Sequence, residues 1–283
     1  MKTRTFAKRA FQGLVGTLMA VASCGAMANL VTQWGFEINS GFTAYDGTGG
    51  GLHGGVDGSN TNTLLSAPSL LTWGVSTGSG RSSLGVGAAT NGKFTGSLFT
   101  NGAVVNTVQA IHINNPITGD SLETATLLDQ IFLTPLAPPL PGFAPPALSF
   151  AINFMETPNS TPCLVASPSG NPCNDIFVMD VPGAGFNPAD NSLNQTFSYA
   201  GELYNAIFQI SGLGLLSNAA CNTIVGHTGC IGFTTIEGQS NVFQVSLAIS
   251  DKPFVVPEPT SLALFGLAFA GLGLIRRRTL RTA

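Results

Sequence analysis

The sequence predicts an all-β fold for the central part of the chain: a single antiparallel β-sandwich or jelly-roll-like domain between two hydrophobic terminal helices. Apolar and polar residues alternate in segments such as NVFQVSLAIS, where Phe243, Val245, Leu247 and Ile249 share one face. Charged residues make up only 9% of the chain, whereas there are 35 glycines, which suits strands joined by turns. No long segment has the periodicity of an amphipathic helix.

About ten strands are predicted from these patterns. They lie at residues 31–39, 70–76, 92–100, 104–114, 126–134, 148–156, 175–181, 196–203, 230–237 and 241–250. Two segments interrupt the patterns. Residues 46–62 are rich in glycine and predict a mobile loop, and residues 134–147 are rich in proline and predict an extended connector.

The first 28 residues predict a secretory signal peptide. They contain a basic start, an apolar stretch and an Ala26-x-Ala28 cleavage site, so we expect the Sec translocon and signal peptidase as partners. An alternative is a lipoprotein signal, because the segment VASC would place a lipid on Cys24.

The last residues combine VPEP, an apolar run at residues 262–275 and three arginines. The run is fourteen residues long, which is about 21 Å as a helix against a hydrocarbon core of about 30 Å. It is therefore marginal as a permanent anchor, although an ordinary tail anchor stays open. The arginines favour a cytoplasmic position, which places the preceding domain outside the cell.

This tail resembles the PEP-CTERM sorting signal, whose defining triplet matches Pro257, Glu258 and Pro259, with Arg276, Arg277 and Arg278 as the cytoplasmic stop. The resemblance implies a Gram-negative bacterium that makes extracellular polysaccharide. It also implies transient insertion in the inner membrane, processing by an exosortase-type enzyme, and a final place at the surface or in the extracellular matrix. We therefore divide the chain into a signal peptide (1–28), an exported β-sandwich domain (29–256) and a sorting signal (257–283).

The exported domain is acidic. Residues 29–256 hold three basic and thirteen acidic side chains, a net charge of −10. Binding of nucleic acid through its phosphates is excluded on this basis.

Four of the five cysteines lie in the exported domain. An even number in an oxidising compartment predicts disulfides, and the two local pairs, Cys163 with Cys173 and Cys221 with Cys230, need the least rearrangement of the three possible pairings. A zinc site is the alternative, but no C-x2-C spacing occurs. The sequence assigns no metal and no cofactor to the domain.

Two short motifs suggest a serine nucleophile. Ser121 lies in GDSL, the signature of a hydrolase family, but that family's base lies in an Asp-x-x-His, and His227 has no aspartate three residues before it. Ser76 lies in GVSTG, which reads as a strand end and turn because no helix pattern follows. Asp46 and Asp57 could hold calcium, but a solvated loop is the simpler interpretation.

His112 and Asn114 would share one face of a strand, and the simplest interpretation is a polar pair at its end. The segments HINNPI, INFMETPN and CNDIFV, together with the tail, resemble a group of sorted proteins named for a Thr-His-x-Asn motif, with Ile111 in place of the threonine. The group implies no activity, so the pair is a motif without a role.

We therefore expect an exported surface or matrix protein that has no catalytic activity. The alternative is a module that binds exopolysaccharide, which exposed aromatic side chains on one face would favour. Trp34 and Trp73, the only tryptophans, lie in predicted strands and are expected in the core. A secreted hydrolase is the third possibility.

Overall fold

The computed structural model describes residues 30–160, 162–163, 173–180 and 185–252. These residues form seventeen strands and one α-helix, α1 (Asn218–Val225), besides two short 3-10 helices. The strands are β1 (Gln33–Gly47), β2 (Asp57–Asn62), β3 (Ala67–Trp73), β4 (Val75–Ser76), β5 (Ser82–Val86), β6 (Lys93–Phe99), β7 (Val105–Asn114), β8 (Ile117–Thr118), β9 (Leu122–Ala137), β10 (Leu148–Met155), β11 (Asp175–Asp180), β12 (Gly185–Asn187), β13 (Ser192–Tyr199), β14 (Glu202–Ile210), β15 (Gly214–Leu215), β16 (Ile231–Thr235) and β17 (Gln239–Ser250).

The strands form two large sheets and a small two-stranded one, β4-β8. One large sheet has the order β15-β16-β11-β10-β9-β1-β6, and the other has the order β12-β13-β14-β17-β7-β5-β3-β2. All neighbouring strands are antiparallel. The predicted all-β sandwich is therefore confirmed.

The core lies between the two large sheets, because alternate side chains of each strand point inward. In β10 the alternate residues Phe150, Ile152 and Phe154 are buried. Trp34 and Trp73 are also fully buried, which confirms the expectation that both belong to the core.

Each predicted strand segment contains a strand, but the structure has more strands than the sequence suggested, and β1 and β9, with 15 and 16 residues, are longer than their predicted segments. Residues 196–203, predicted as one strand, form a hairpin in which β13 pairs with β14. The turn uses Ala200 and Gly201 with positive φ angles of 51° and 87°. A two-residue turn of this kind reverses the chain without interrupting the apolar pattern on either side.

The prediction of a mobile loop at residues 46–62 is wrong. Asp57–Asn62 forms β2 at the edge of the eight-stranded sheet, paired with β3. Before it the backbone folds closely upon itself, because a Cβ atom on Gly54 would lie 2.2 Å from the Gly47 carbonyl oxygen. The glycines therefore permit a close backbone crossing here.

The proline-rich connector begins later than predicted, because β9 continues through Pro135 to Ala137. The chain then turns back along β9. Leu133 and Phe143 exchange backbone hydrogen bonds of 2.8 and 2.9 Å. Phe143 packs against Trp34 and Tyr199, so the connector closes one end of the core.

Helix α1 covers the outer face of β11. Its residues Ala220 and Cys221 pack with Ile176 and Val178, which point away from the main core. Ser217 caps the helix by accepting a hydrogen bond from the Ala220 amide. Cys221 thus lies in the helix, and its disulfide with Cys230 joins α1 to the start of β16.

Candidate functional site

His112 and Asn114 lie on β7 and point between the sheets. Both side chains are 0% exposed, whereas Ile113 between them points to solvent. The prediction that they share one face of a strand agrees with this arrangement. They are interior groups, so their chemistry depends on what the opposite sheet presents to them.

His112 is enclosed by aromatic rings. Its imidazole stacks on Trp73 at a centroid distance of 5.5 Å and meets the edges of Phe154 and Phe177. Nδ1 lies 3.0 Å from the Thr235 hydroxyl oxygen. Burial lowers the pKa of His112 to about 3, so the imidazole is neutral at physiological pH and cannot act there as a cationic group.

Three carboxyl groups meet in the same part of the interior: those of Glu156, Asp175 and Glu237. Their ligand oxygens all lie within 4.8 Å of one another. Glu156 follows β10, Asp175 begins β11 and Glu237 follows β16. Because Met155 pairs with Ile176 and Asp175 pairs with Thr235, the antiparallel register brings these three strand ends to one edge of the seven-stranded sheet.

Hydrogen bonds from Thr157 fix the orientation of Asp175. The Thr157 amide donates to Asp175 Oδ1 at 2.7 Å, and its hydroxyl lies 3.3 Å from the same oxygen. The hydroxyl also lies 3.1 Å from the Asn174 carbonyl oxygen. These hydrogen bonds satisfy Oδ1 of Asp175, whereas Oδ2 has no hydrogen-bond partner among the described residues.

The turn that holds Glu237 is attached to the other sheet. The Ile236 amide donates to Asn241 Oδ1 at 2.9 Å, and the Gly238 amide donates to the Asn114 carbonyl at 2.7 Å. Asn114 is the Cα partner of Gln239 in the β7–β17 ladder. The turn therefore brings a carboxyl group from the seven-stranded sheet next to β7.

Burial raises the pKa values of all three carboxyl groups, and neighbouring charges add to this for Glu156 and Asp175. Burial, together with the charges of Asp175 and Glu237, raises the pKa of Glu156 to about 8. Burial raises the pKa of Asp175 to about 7 despite the Thr157 amide, which acts in the opposite direction. Burial also raises the pKa of Glu237. The ion pairs of the described residues, Arg81 with Asp57 and Lys93 with Glu37, do not involve this cluster.

Several polar atoms in this region are buried and have no hydrogen-bond partner among the described residues. They are Glu156 Oε2, Asp175 Oδ2, both carboxylate oxygens of Glu237, both polar atoms of the Asn114 amide, His112 Nε2 and Trp73 Nε1. Asn114 and Trp73 face the cluster as hydrogen-bond donors, since the Asn114 amide lowers the pKa of Asp175 and the Trp73 indole lowers that of Glu156, although neither contact has normal hydrogen-bond geometry. We call Glu156, Asp175, Glu237 and Asn114 the acidic site.

The sequence did not reveal the acidic site. Its members come from four segments, and no short spacing links them. Three of those segments, HINNPI, INFMETPN and CNDIFV, carried the second resemblance, but they gave no reason to join their carboxylates. Each carboxylate of the acidic site could offer one oxygen to a shared metal ion, whereas the sequence assigned no metal to the domain.

The other candidate residues do not form a reactive group in the described part of the chain. The Ser121 amide donates to the Thr48 hydroxyl, and the His227 ring contacts the Thr228 carbonyl. Ser76 Oγ accepts from the amides of Gly78 and Gly80, as expected for a turn. Asp57 pairs with Arg81 at 2.6 Å, and Asp46 accepts from the Gly47 amide.

Both predicted disulfides are confirmed, Cys163 with Cys173 and Cys221 with Cys230. The first closes the connection between β10 and β11, whose two ends carry Glu156 and Asp175. The second lies at the opposite end of the β11–β16 pair, where Met179 faces Ile231.

The predicted signal peptide with Cys24 and the sorting residues Pro257, Glu258, Pro259 and Arg276 to Arg278 lie outside the described residues. Among the residues that the structure describes, no helix is long and apolar enough to cross a membrane.

Comparison with known protein families finds a match in the tail. Residues 255–278 match the PEP-CTERM protein-sorting motif. No curated protein matches the chain. The chain therefore carries a PEP-CTERM protein-sorting motif, the signal of an exported protein that exosortase-type machinery sorts to the cell surface.

Proposed function

We propose that the β-sandwich domain is a non-catalytic component of the cell surface or extracellular matrix of a bacterium that makes exopolysaccharide. The sorting motif at residues 255–278 carries this proposal, because it gives the domain a destination outside the cell. Two disulfides and few lysines suit such a location. In this proposal the apolar run at 262–275 holds the protein in the inner membrane only until the exosortase-type enzyme removes it.

The mass of the mature protein tests this proposal. Protein released from the surface of the native host should lack everything beyond the neighbourhood of Pro257 to Pro259. Replacing all three residues of the triplet by alanine should block removal, because the enzyme reads the triplet, while the apolar run and its topology stay unchanged. Alanine at Asp251 and Lys252, just before the matched segment, is the control and should leave processing intact. Arg276 to Arg278 still attached to the released protein would contradict the proposal.

The absence of catalysis is tested separately. If Ser121 were a nucleophile, a fluorophosphonate probe would label the exported protein, and Ser121→Ala would abolish the labelling. We expect no labelling, because no hydrogen bond among the described residues joins Ser121 to His227. Labelling that Ser121→Ala removes would support the hydrolase instead.

Binding of a polysaccharide is the second candidate function. A cleft of about 530 Å³ on the outer face of β7 favours it, with Phe94, Gln109 and Gln244 among its lining residues. Amide side chains and an aromatic ring are groups that bind sugars. The buried tryptophans give this candidate no support, since sugar-binding surfaces need exposed rings.

A glycan array with the exported protein separates the two candidates. A binding module should retain its own exopolysaccharide, and Gln109→Ala with Gln244→Ala should reduce binding at least tenfold. A matrix protein without this activity should show no difference between these variants and the unchanged protein.

A further inference from the structure

The acidic site has the composition of a cation site rather than that of an ordinary core. Three carboxylates and an amide oxygen are all hard oxygen ligands, and the nitrogen of His112 is not part of the cluster. Three ionised carboxylates within 4.8 Å of one another repel strongly in a medium of low dielectric constant, and no basic side chain among the described residues neutralises them.

Asn114 is a second and independent indication of a ligand. Its side chain is 0% exposed and faces Asp175, whose pKa it lowers as a hydrogen-bond donor, yet neither of its polar atoms makes a hydrogen bond of normal geometry among the described residues. An unsatisfied buried amide costs about 1 to 3 kcal/mol, so such groups are rare in folded proteins. A cation between the carboxylates and Asn114 would accept the amide oxygen as a ligand.

We propose that Glu156, Asp175, Glu237 and Asn114 bind a calcium ion. One oxygen from each carboxylate and the amide oxygen give four ligands, because Thr157 holds the other oxygen of Asp175. The second oxygens of the two glutamates bring the number to six, the lower limit of the six to eight that calcium takes, and oxygen ligands do not favour zinc. Magnesium keeps several of its waters, whereas a buried cluster provides oxygens in their place.

The ion joins the two sheets. Glu156, Asp175 and Glu237 lie at strand ends of the seven-stranded sheet, and Asn114 lies on β7 of the other sheet. Calcium is therefore a structural cross-link at one end of the sandwich. The proposal does not depend on how the protein is sorted, so either can fail without the other.

Thermal unfolding tests the site. Exported protein is treated with EGTA, exchanged into chelator-free buffer and unfolded with and without calcium. Calcium at about a hundred times its dissociation constant should raise the melting temperature by roughly 5 to 10 °C. Asp175→Asn and Glu237→Gln should each remove most of this shift, whereas Asp129→Asn, which changes a buried carboxyl group elsewhere, should preserve it. No shift at 10 mM calcium, or an equal shift in all variants, overturns the proposal.

Terbium luminescence tests the site without relying on stability. Terbium replaces calcium in oxygen sites and emits when a nearby indole transfers energy to it. Trp73 faces Glu156, whereas Trp34 packs in a separate aromatic cluster with Tyr204 and Phe197. Trp73→Phe should abolish the emission, Trp34→Phe should keep it, and calcium should displace terbium. Emission that survives Trp73→Phe, or displacement by zinc but not by calcium, overturns the assignment.

Discussion

Among the residues that the structure describes, carboxyl groups lie in the interior of the sandwich in two places that differ in their surroundings. At the acidic site three carboxyl groups gather with an amide. In the middle of the core, Asp129 on β9 lines a cavity of about 40 Å³ whose other lining residues are apolar or glycine, among them Phe42, Leu84 and Phe243. Asp129 is 8% exposed, and its Oδ1 has no hydrogen-bond partner among the described residues.

The surroundings explain the different electrostatics. Burial raises the pKa of Asp129 to about 6, and the hydroxyl of Ser40, its Cα partner on β1, acts in the opposite direction. A single carboxyl group can relieve its burial by taking up one proton. At the acidic site the charges of Asp175 and Glu237 also raise the pKa of Glu156, and that of Glu237 raises the pKa of Asp175, which makes a shared cation an effective alternative to protons.

Replacing Trp73, which packs beside the acidic site, should have the largest effect on the free energy of unfolding. Trp73 is fully buried and stacks on His112, so Trp73→Ala should lower the free energy of unfolding by about 3 to 5 kcal/mol. Phe42→Ala at the wall of the Asp129 cavity is the matched variant, with a cost in the same range. Urea unfolding measures both. Only Trp73→Ala should also lose the calcium response, and a loss in both variants would mean that the response reports general packing.

Removing each disulfide in turn distinguishes an effect on stability from an effect on the geometry of the acidic site. Replacing Cys163 and Cys173 by serine should cost about 3 kcal/mol, because the bridge restricts a short loop in the unfolded chain. Replacing Cys221 and Cys230 should cost a similar amount, since the sequence separations are 10 and 9. The first pair closes the connection between Glu156 and Asp175, so its loss alone should weaken calcium binding. Calorimetric titration measures the binding, and equal weakening in both variants would contradict this assignment.

What the sequence could predict was local. Alternation located segments such as 148–156 because the side chains of a strand point to opposite faces every second residue. The cysteine pairs were predictable for a similar reason, since each closes a short loop. The glycine-rich segment was misjudged because composition does not show that Gly54 passes close to Gly47.

What the sequence could not predict depends on register between distant strands. Glu156 and Glu237 are about eighty residues apart, and they meet only because β11 lies between β10 and β16 in the sheet. The alternation placed His112 and Asn114 on one face, but it did not show that this face meets carboxylates. A single sequence does not show which residues of distant strands come into contact.

Asp129 should make the protein less stable as the pH rises. Its pKa is raised in the folded protein, so the folded state binds the proton more tightly than the unfolded chain. Near pH 4 the Asp129 side chain is protonated in the folded protein, and its burial does not lower the free energy of unfolding. As the pH rises to about 6, the buried charge lowers the free energy of unfolding progressively. The Asp129→Asn variant should therefore have the same free energy of unfolding as the unchanged protein at pH 4. At pH 8 its free energy of unfolding should be higher by roughly 2 to 3 kcal/mol. Urea unfolding at both pH values measures this, and a difference that does not vary with pH would contradict it.

Filling the Asp129 cavity should have the smallest effect, and it tests whether that cavity is a packing defect. Val86 is buried on β5 and lines the cavity, so Val86→Ile places one more methylene group where there is space. At pH 5 we expect a gain of at most about 0.8 kcal/mol in the free energy of unfolding. Val178→Ile is the control, because Val178 packs against Cys221 and its neighbours under α1 and does not line this cavity, so the extra group should cost about 1 to 3 kcal/mol. A loss of stability in Val86→Ile as large as in the control would show that the space around Asp129 cannot accept an apolar group, and that the carboxyl group needs it.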